Sequence, residues 1–296
     1  YTYILFLYFF RFGFLFKAMV FAERELAFVE KHGIGLYYYK DANYPYRLAQ
    51  CVDAPLLMYA KGNVNVDTKH VLSIVGTRMP SERGKDWCRR LVLDLAAKVP
   101  DLTIVSGLAY GIDIASHKAA LEAGLQTIAV LPNGIDMIYP SRHRDIAAQM
   151  VHNGGILTEF PRGEKPVKLN FIKRNRIIAG ISQGLLVVES RVKGGSMITA
   201  EYASNFNRDV FAVPGRVTDT NSFGCNYLIA KNVAAIYNSP TVIPTALGWE
   251  RNYLPDSSFQ PELFSSEVSH KEKILLSLKI NSGRDVEWLC VDTGFS

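Results

Sequence analysis

VLSIVGTRMPSERGKDWCRRLVLDLAAKVPDLTIVSGLAYGIDIASHKAA, residues 71–120, reads as strand, glycine loop and helix, and then as strand, glycine loop and helix once more. Val71–Val75 and Leu102–Val105 are the strands; Ser81–Lys98 and Ile112–Ala123 are the helices. Both strands are continuous apolar runs rather than alternations of polar and apolar residues, which is the signature of parallel strands buried on both faces. Outward from this stretch the pattern continues, with strands expected at Gln126–Leu131, Gly155–Thr158, Gly184–Val188, Asp209–Val213 and Ala234–Tyr237. Helices are expected between them at about Arg142–Val151, Phe171–Ser182, Met197–Asn207 and Cys225–Ala230. The fold class is therefore α/β, a doubly wound, mostly parallel sheet with helices on both faces.

The ends follow other rules. Residues 19–66 read as a helix, a YYYKDANYP turn and an LLMYAKG strand, an arm packing on the sheet. The opening YTYILFLYFFRFGFLF is apolar and aromatic but holds Arg11, and it is shorter than the roughly 20 residues a spanning helix needs. No charged leader or initiating Met precedes it, so neither a secretory signal nor a membrane contact is expected, and Met19 is a candidate start. Prolines and polar residues in Ser239–Phe264 read as a linker, and Ile274, Leu275 and Leu278 begin a helical pattern too short to bury a core alone. The expected organisation is an arm over 1–66, a main domain over 67–240, a linker over 241–264 and a short terminal segment over 265–296.

With 48% hydrophobic and 21% charged residues and a formal charge of +5, the composition is that of an ordinary globule, and clustering of charge is more informative than its sum. Cys51, Cys88, Cys225 and Cys290 form no C-x-x-C pair and the six histidines are scattered, so a reducing cytoplasmic setting is expected, with no metal and no cofactor.

The charge clusters in PRGEKPVKLNFIKRNRIIAG, residues 161–180, where Arg162, Lys165, Lys168, Lys173, Arg174 and Arg176 face one acid, Glu164. Phe171 lies among them, and cations interleaved with an aromatic suit a polymer that offers phosphates and base faces. Ile177, Ile178 and Ile181 mark the buried face of a helix from which Arg176 points away; Arg174 extends the apolar stripe, so its charge needs a partner. Most charge runs merely solvate a surface, but here three strand-to-helix loops add phosphate-binding chemistry. They are Ser73–Arg78 with Gly76, Ser106–Asp113 with Gly107 and Gly111, and Lys193–Thr199 with Gly194 and Gly195. Each offers backbone N–H groups at a helix start. None matches the P-loop or the dinucleotide-binding pattern, so ATP hydrolysis and dinucleotide binding are not expected. Asp113, Ser116 and His117 resemble a hydrolase set, but Ser116 and His117 are adjacent on a helix and do not face each other, and no G-x-S-x-G elbow exposes a nucleophile. Glu159 and Glu189, at strand ends, are a candidate acidic pair.

SIVGTR at 73–78, SGLAYGIDIASHKAAL at 106–121, VLPNGIDMIYPSRH at 130–143, RNRIIAG at 174–180, VVES at 187–190, GGSMITAEYA at 194–203 and FAVPG at 211–215 occur together, in this order. As a set they resemble the DNA-processing protein A (DprA/Smf) family over about residues 40–240. The resemblance implies an extended Rossmann-like domain that binds single-stranded DNA in natural transformation, protects it and helps load a RecA-type recombinase, without enzymatic activity. It further implies DNA or phosphate contacts from Gly76, Arg78, Ser106, Gly107, Asn170, Phe171, Lys173, Arg174, Asn175 and Arg176, with Phe171 as a stacking or packing aromatic. A homodimer through about 220–238 and a truncated winged-helix-like segment at 265–296 complete the expectation. The alternative is an enzyme: GGSMITAEYA is similar to the glycine-rich loop of nucleoside-monophosphate phosphoribohydrolases, with Glu201 as catalytic acid.

Overall fold

The computed structural model describes the backbone of residues 2–249 and the side chains from Phe16 onward. The chain opens with α1 (Thr2–His32), β1 (Gly35–Tyr38), α2 (Tyr46–Ala49) and β2 (Leu57–Gly62). Then the alternation begins: β3 (His70–Val75), α3 (Glu82–Lys98), β4 (Leu102–Ser106), α4 (Ile112–Glu122), β5 (Gln126–Val130), α5 (Arg144–Met150) and β6 (Gly154–Thr158). It continues with α6 (Lys168–Ile181), β7 (Gly184–Val187), α7 (Gly195–Asn205), β8 (Asp209–Ala212), α8 (Phe223–Ala230), β9 (Ala235–Ile236) and α9 (Val242–Ala246).

The strands form one sheet in the order β1-β2-β6-β5-β4-β3-β7-β8-β9. β3 through β9 pair in parallel, and β1 and β2 run antiparallel at one edge. The α/β architecture is as expected, and the reason is visible in β3. Val71 and Val75 face a core shared with Ile177, Ile178 and Ile181 of α6, while Leu72 and Ile74 face Leu91, Leu95 and Ile112 of α3 and α4. A strand with helices on both sides has no polar face to offer, hence the unbroken apolar run.

The arm and the linker need correction. β1 takes the first two tyrosines of the segment expected to be a turn, and through Gly35↔Ala60 it pairs with β2, which pairs with β6, so residues 35–62 extend the sheet rather than lie on it. Past residue 240 the chain is not open linker either: Ile243 of α9 and Trp249 are 0% and 7% exposed in the core beside α3. The rest of the expected linker and the whole segment 265–296 lie outside the described residues. Among the described residues no helix is long and apolar enough to cross a membrane.

The chain steps outward from β3 to β6 on one side and then returns through α6 to place β7 on the other side of β3. This reversal is a topological switch point, where the loops after adjacent strands part toward opposite faces and leave a crevice at the carboxyl ends.

Candidate functional site

A cavity of about 620 Å³ occupies that crevice. The loops after β3, β4 and β7 form its walls and α6 lies along one side. Five cations line it, Arg78, Lys168, Arg174, Arg191 and Lys193, against a single acid, Asp113.

The first loop is placed by close backbone packing. A Cβ on Gly76 would lie 2.5 Å from Ile112 Cγ1, so only glycine lets the end of β3 approach the start of α4. Thr77 N donates to Glu189 O at 2.6 Å, and Ile112 N donates to Thr77 O at 3.2 Å. With its neighbours tied on both sides, exposed Arg78 is held at the rim, its guanidinium carbon 4.8 Å from the centre of the Phe171 ring. Cation and ring there present one flat, positive platform. Tyr139 meets the same ring edge-on at 5.8 Å.

In the second loop Gly111 has φ +83°, and a Cβ there would run into the Thr77 carbonyl. Ser106 is fully buried and its hydroxyl donates to Ile74 O at 2.6 Å, joining β4 to β3. Gly107 lies against the Arg174 guanidinium. In the third loop the Ser196 hydroxyl donates to Ser190 Oγ at 2.7 Å, and Gly195 opens α7 with free space where a side chain would stand.

α6 carries the densest part of the site. Lys168, Phe171, Ile172, Asn175 and Ile178 recur at helical spacing on the side that lines the cavity. Arg174, only 3% exposed, lies beneath them: its Nη1 donates to Gly107 O at 2.7 Å and to Val130 O at 2.5 Å, and its Nε donates to Asn175 Oδ1 at 3.3 Å. The partner that the charge on the apolar stripe demanded is thus a pair of strand-end carbonyls, with the Asp113 carboxylate nearby. Burial lowers the Arg174 pKa to about 10, with Asp113 opposing the shift, so the guanidinium stays charged near neutral pH. Burial likewise raises the Asp113 carboxyl, opposed by Arg174 and Arg78.

Of the ten residues implicated by the sequence, Gly76, Arg78, Phe171, Arg174 and Asn175 converge on the cavity. Ser106, Gly107, Asn170, Lys173 and Arg176 do not line it. Asn170 is buried and its amide donates to Glu164 Oε1 at 2.9 Å and Lys165 O at 3.2 Å, bracing the entry to α6. Lys173 is exposed elsewhere on the helix. Arg176 is ion-paired with Glu159 at 2.5 Å and with Asp53 at 3.7 Å, one residue on from the cavity face and rotated off it. Glu159 and Glu189 form no acidic pair, because Glu189 accepts from Ser81 N at 2.9 Å and Ser81 Oγ at 2.6 Å at the start of α3. Lys168 and Lys193 join the site from the basic run and the third glycine loop, whereas Arg191 lies between the marked segments and joins it with no signal in the sequence. Tyr139 falls inside the 130–143 motif, which by itself assigned it no role.

The hydrolase set does not assemble into a catalytic arrangement. His117 is fully buried with Nδ1 2.7 Å from Thr127 Oγ1, and Ser116 donates to the Asp113 backbone carbonyl at 2.8 Å. Burial lowers His117 to about 3, leaving the ring neutral at ordinary pH. Glu201 is exposed on α7 and does not line the cavity.

Residues 35–247 match the family model described as DNA recombination-mediator protein A. The chain is 38% identical to DNA processing protein DprA of Streptococcus pneumoniae over 203 residues, 69% of this chain and 71% of that protein. It is 40% identical to Protein Smf of Escherichia coli over 215 residues, 72% of this chain but 57% of that protein. The structure of the S. pneumoniae protein superposes with a TM-score of 0.68 at 37% identity, covering 73% of this chain and 75% of that one. DNA processing protein A of Helicobacter pylori, described for its single-stranded DNA binding mode, superposes with a TM-score of 0.65 at 28% identity, covering 73% and 96%.

Proposed function

Because the chain belongs to the DNA recombination-mediator protein A family, we propose that it binds single-stranded DNA in the cavity at the switch point, protects it and hands it to a RecA-type recombinase. A DNA-processing role is supported by the named relatives, and the cavity itself carries the reading to this chain. Five cations against one acid favour a polyanion, and the Arg78–Phe171 platform supplies a base-stacking surface. Gly76, Arg78, Phe171, Arg174 and Asn175 are assigned to the strand, with Lys168, Arg191 and Lys193 beside them. Ser106, Gly107, Asn170 and Arg176 support these residues from behind.

The role is binding rather than catalysis. A phosphoribohydrolase needs its acid at the scissile bond, and exposed Glu201 does not line the cavity. Incubation with nucleoside monophosphates is expected to release no free base. The proposed setting is cytoplasmic, in keeping with the free buried thiols of Cys51, Cys88 and Cys225. A homodimer through residues 220–238 is supported by the exposed Phe223, Tyr227, Val233 and Ile236 on α8 and around β9. Tyr227→Asp should shift the mass in light scattering from dimer to monomer.

The deciding experiment is a salt titration of binding to a labelled oligonucleotide. Affinity should fall linearly on logarithmic axes with a slope of about −0.7 per phosphate neutralised, and Arg78→Ala should reduce that slope by about one contact on any sequence. A flat salt response, or an Arg78→Ala protein that binds as before, would refute the reading.

A further inference from the structure

A second concavity of about 670 Å³ lies on the opposite side of the β3 loop, between α3 and α4. It shares one residue with the first, Arg78. Lys85 and Arg89 of α3 and Lys118 of α4 line it, with the exposed ring of Tyr110 at its edge, 44% exposed, and Met79 at its rim, 69% exposed. Lys85 pairs with Glu82 at 2.6 Å, and Arg89 donates to Glu122 at 2.8 Å across the two helices. Lys118 and Arg78 enter no ion pair among the described residues, which leaves two cations lining the groove, against Asp86 as the unpaired acid. The Tyr110 ring is fixed edge-on against His143 at 5.1 Å, and His143 is itself bonded to Leu108 O at 2.7 Å.

We propose that this groove is a second subsite for the same single strand, which passes from the switch-point cavity over Arg78 and lays its next nucleotides between α3 and α4. The inference rests on the reading of the first cavity as a strand-binding site. A cavity of that size is on the scale of a small-molecule pocket, whereas single-strand sites span about 4–16 nucleotides, so the strand must continue along neighbouring surface. Arg78 reaches both concavities because the Gly111 turn packs directly on the Thr77–Arg78 backbone and keeps the wall between them one residue thick. Beyond it the groove repeats the chemistry of the first site on a smaller scale: an exposed aromatic face, Tyr110, for a base and Lys118 for a phosphate.

The test compares oligothymidylates of about 6 and about 20 nucleotides with the full chain and with Lys118→Ala, Tyr110→Leu and Arg78→Ala. Lys118→Ala and Tyr110→Leu should each weaken binding of the long oligonucleotide by about fivefold or more and that of the short one by less than about twofold. Arg78→Ala should weaken both. If the two groove variants bind long oligonucleotides like the parent, or lose short and long alike, the second subsite is refuted while the first stands. If Arg78→Ala changes neither length, the reading of the first cavity fails instead. Lys118 and Tyr110 are surface residues, and unchanged thermal unfolding of both variants separates loss of a contact from loss of the fold.

Discussion

Arg78 and Arg174 both approach the Phe171 ring, at 4.8 and 6.0 Å from its centre, yet do different work. Arg78 is exposed and makes no ion pair among the described residues; Arg174 is buried and holds the ends of β4 and β5 to α6 through two carbonyls. Arg174→Ala strands those carbonyls and leaves Asp113 without its nearest compensating charge, which should cost about 2–4 kcal/mol of stability along with binding. Arg78→Ala should reduce binding while unfolding changes by no more than about 0.5 kcal/mol. Urea unfolding of the two variants side by side checks this, and equal destabilisation would contradict the division of roles. His117 gives a pH prediction of the same kind. Its folded pKa of about 3 lies below the ordinary 6.5, so the unfolded chain takes up a proton between these values and the folded chain does not. Stability attributable to this ring is complete above about 6.5 and declines as the pH falls, by up to ~1.4 kcal/mol per unit. His117→Leu should flatten that part of a melting-temperature profile between about pH 6 and pH 4, and an unchanged acid limb would show that other groups govern it.

At the scale of elements, the helices and inner strands were legible because each obeys a local period: β3 through β9 and α3 through α8 fall within a few residues of where the apolar runs placed them. What was illegible depends on distant partners. β1 is four residues long and becomes a strand only by pairing with β2, and nothing near Arg176 in the chain announces that Asp53 will meet it. The charge run identified the right helix, but its cations divide by helical angle, some to the cavity and others to ion pairs or solvent. Glycines divide in the same way. Gly111→Ala should cost more than 2 kcal/mol, roughly, because φ +83° and the Thr77 carbonyl both oppose a side chain, and it should disturb both walls around Arg78. Gly124, φ +71° with nothing within 4 Å, meets only the conformational penalty, and Gly124→Ala should cost about 1 kcal/mol and leave binding intact. Chemical denaturation of the pair, with oligonucleotide binding alongside, tests whether steric contact or backbone strain governs these turns.

Across the whole molecule, the smallest unit able to hold the site is larger than the alternating pattern alone suggests. Excision of residues 67–240 would remove β1 and β2, baring the edge of β6, and would strip Ile243 and Trp249 from the core over α3. Those two side chains alone represent ~3–6 kcal/mol of apolar burial, a large part of the net stability of an ordinary domain. The uncovered edge adds unpaired backbone groups, which invite association with another chain. A fragment of residues 19–249, which keeps Val29 in its core cluster and the Glu25–Arg162 ion pair, should unfold cooperatively with the midpoint of the full chain's main transition and bind oligonucleotide, whereas residues 67–240 should melt far lower or aggregate. Calorimetry on the two fragments decides it: equal midpoints would mean that the edge strands and α9 are accessories, and that the parallel sheet with its six inner helices suffices to shape the cavity.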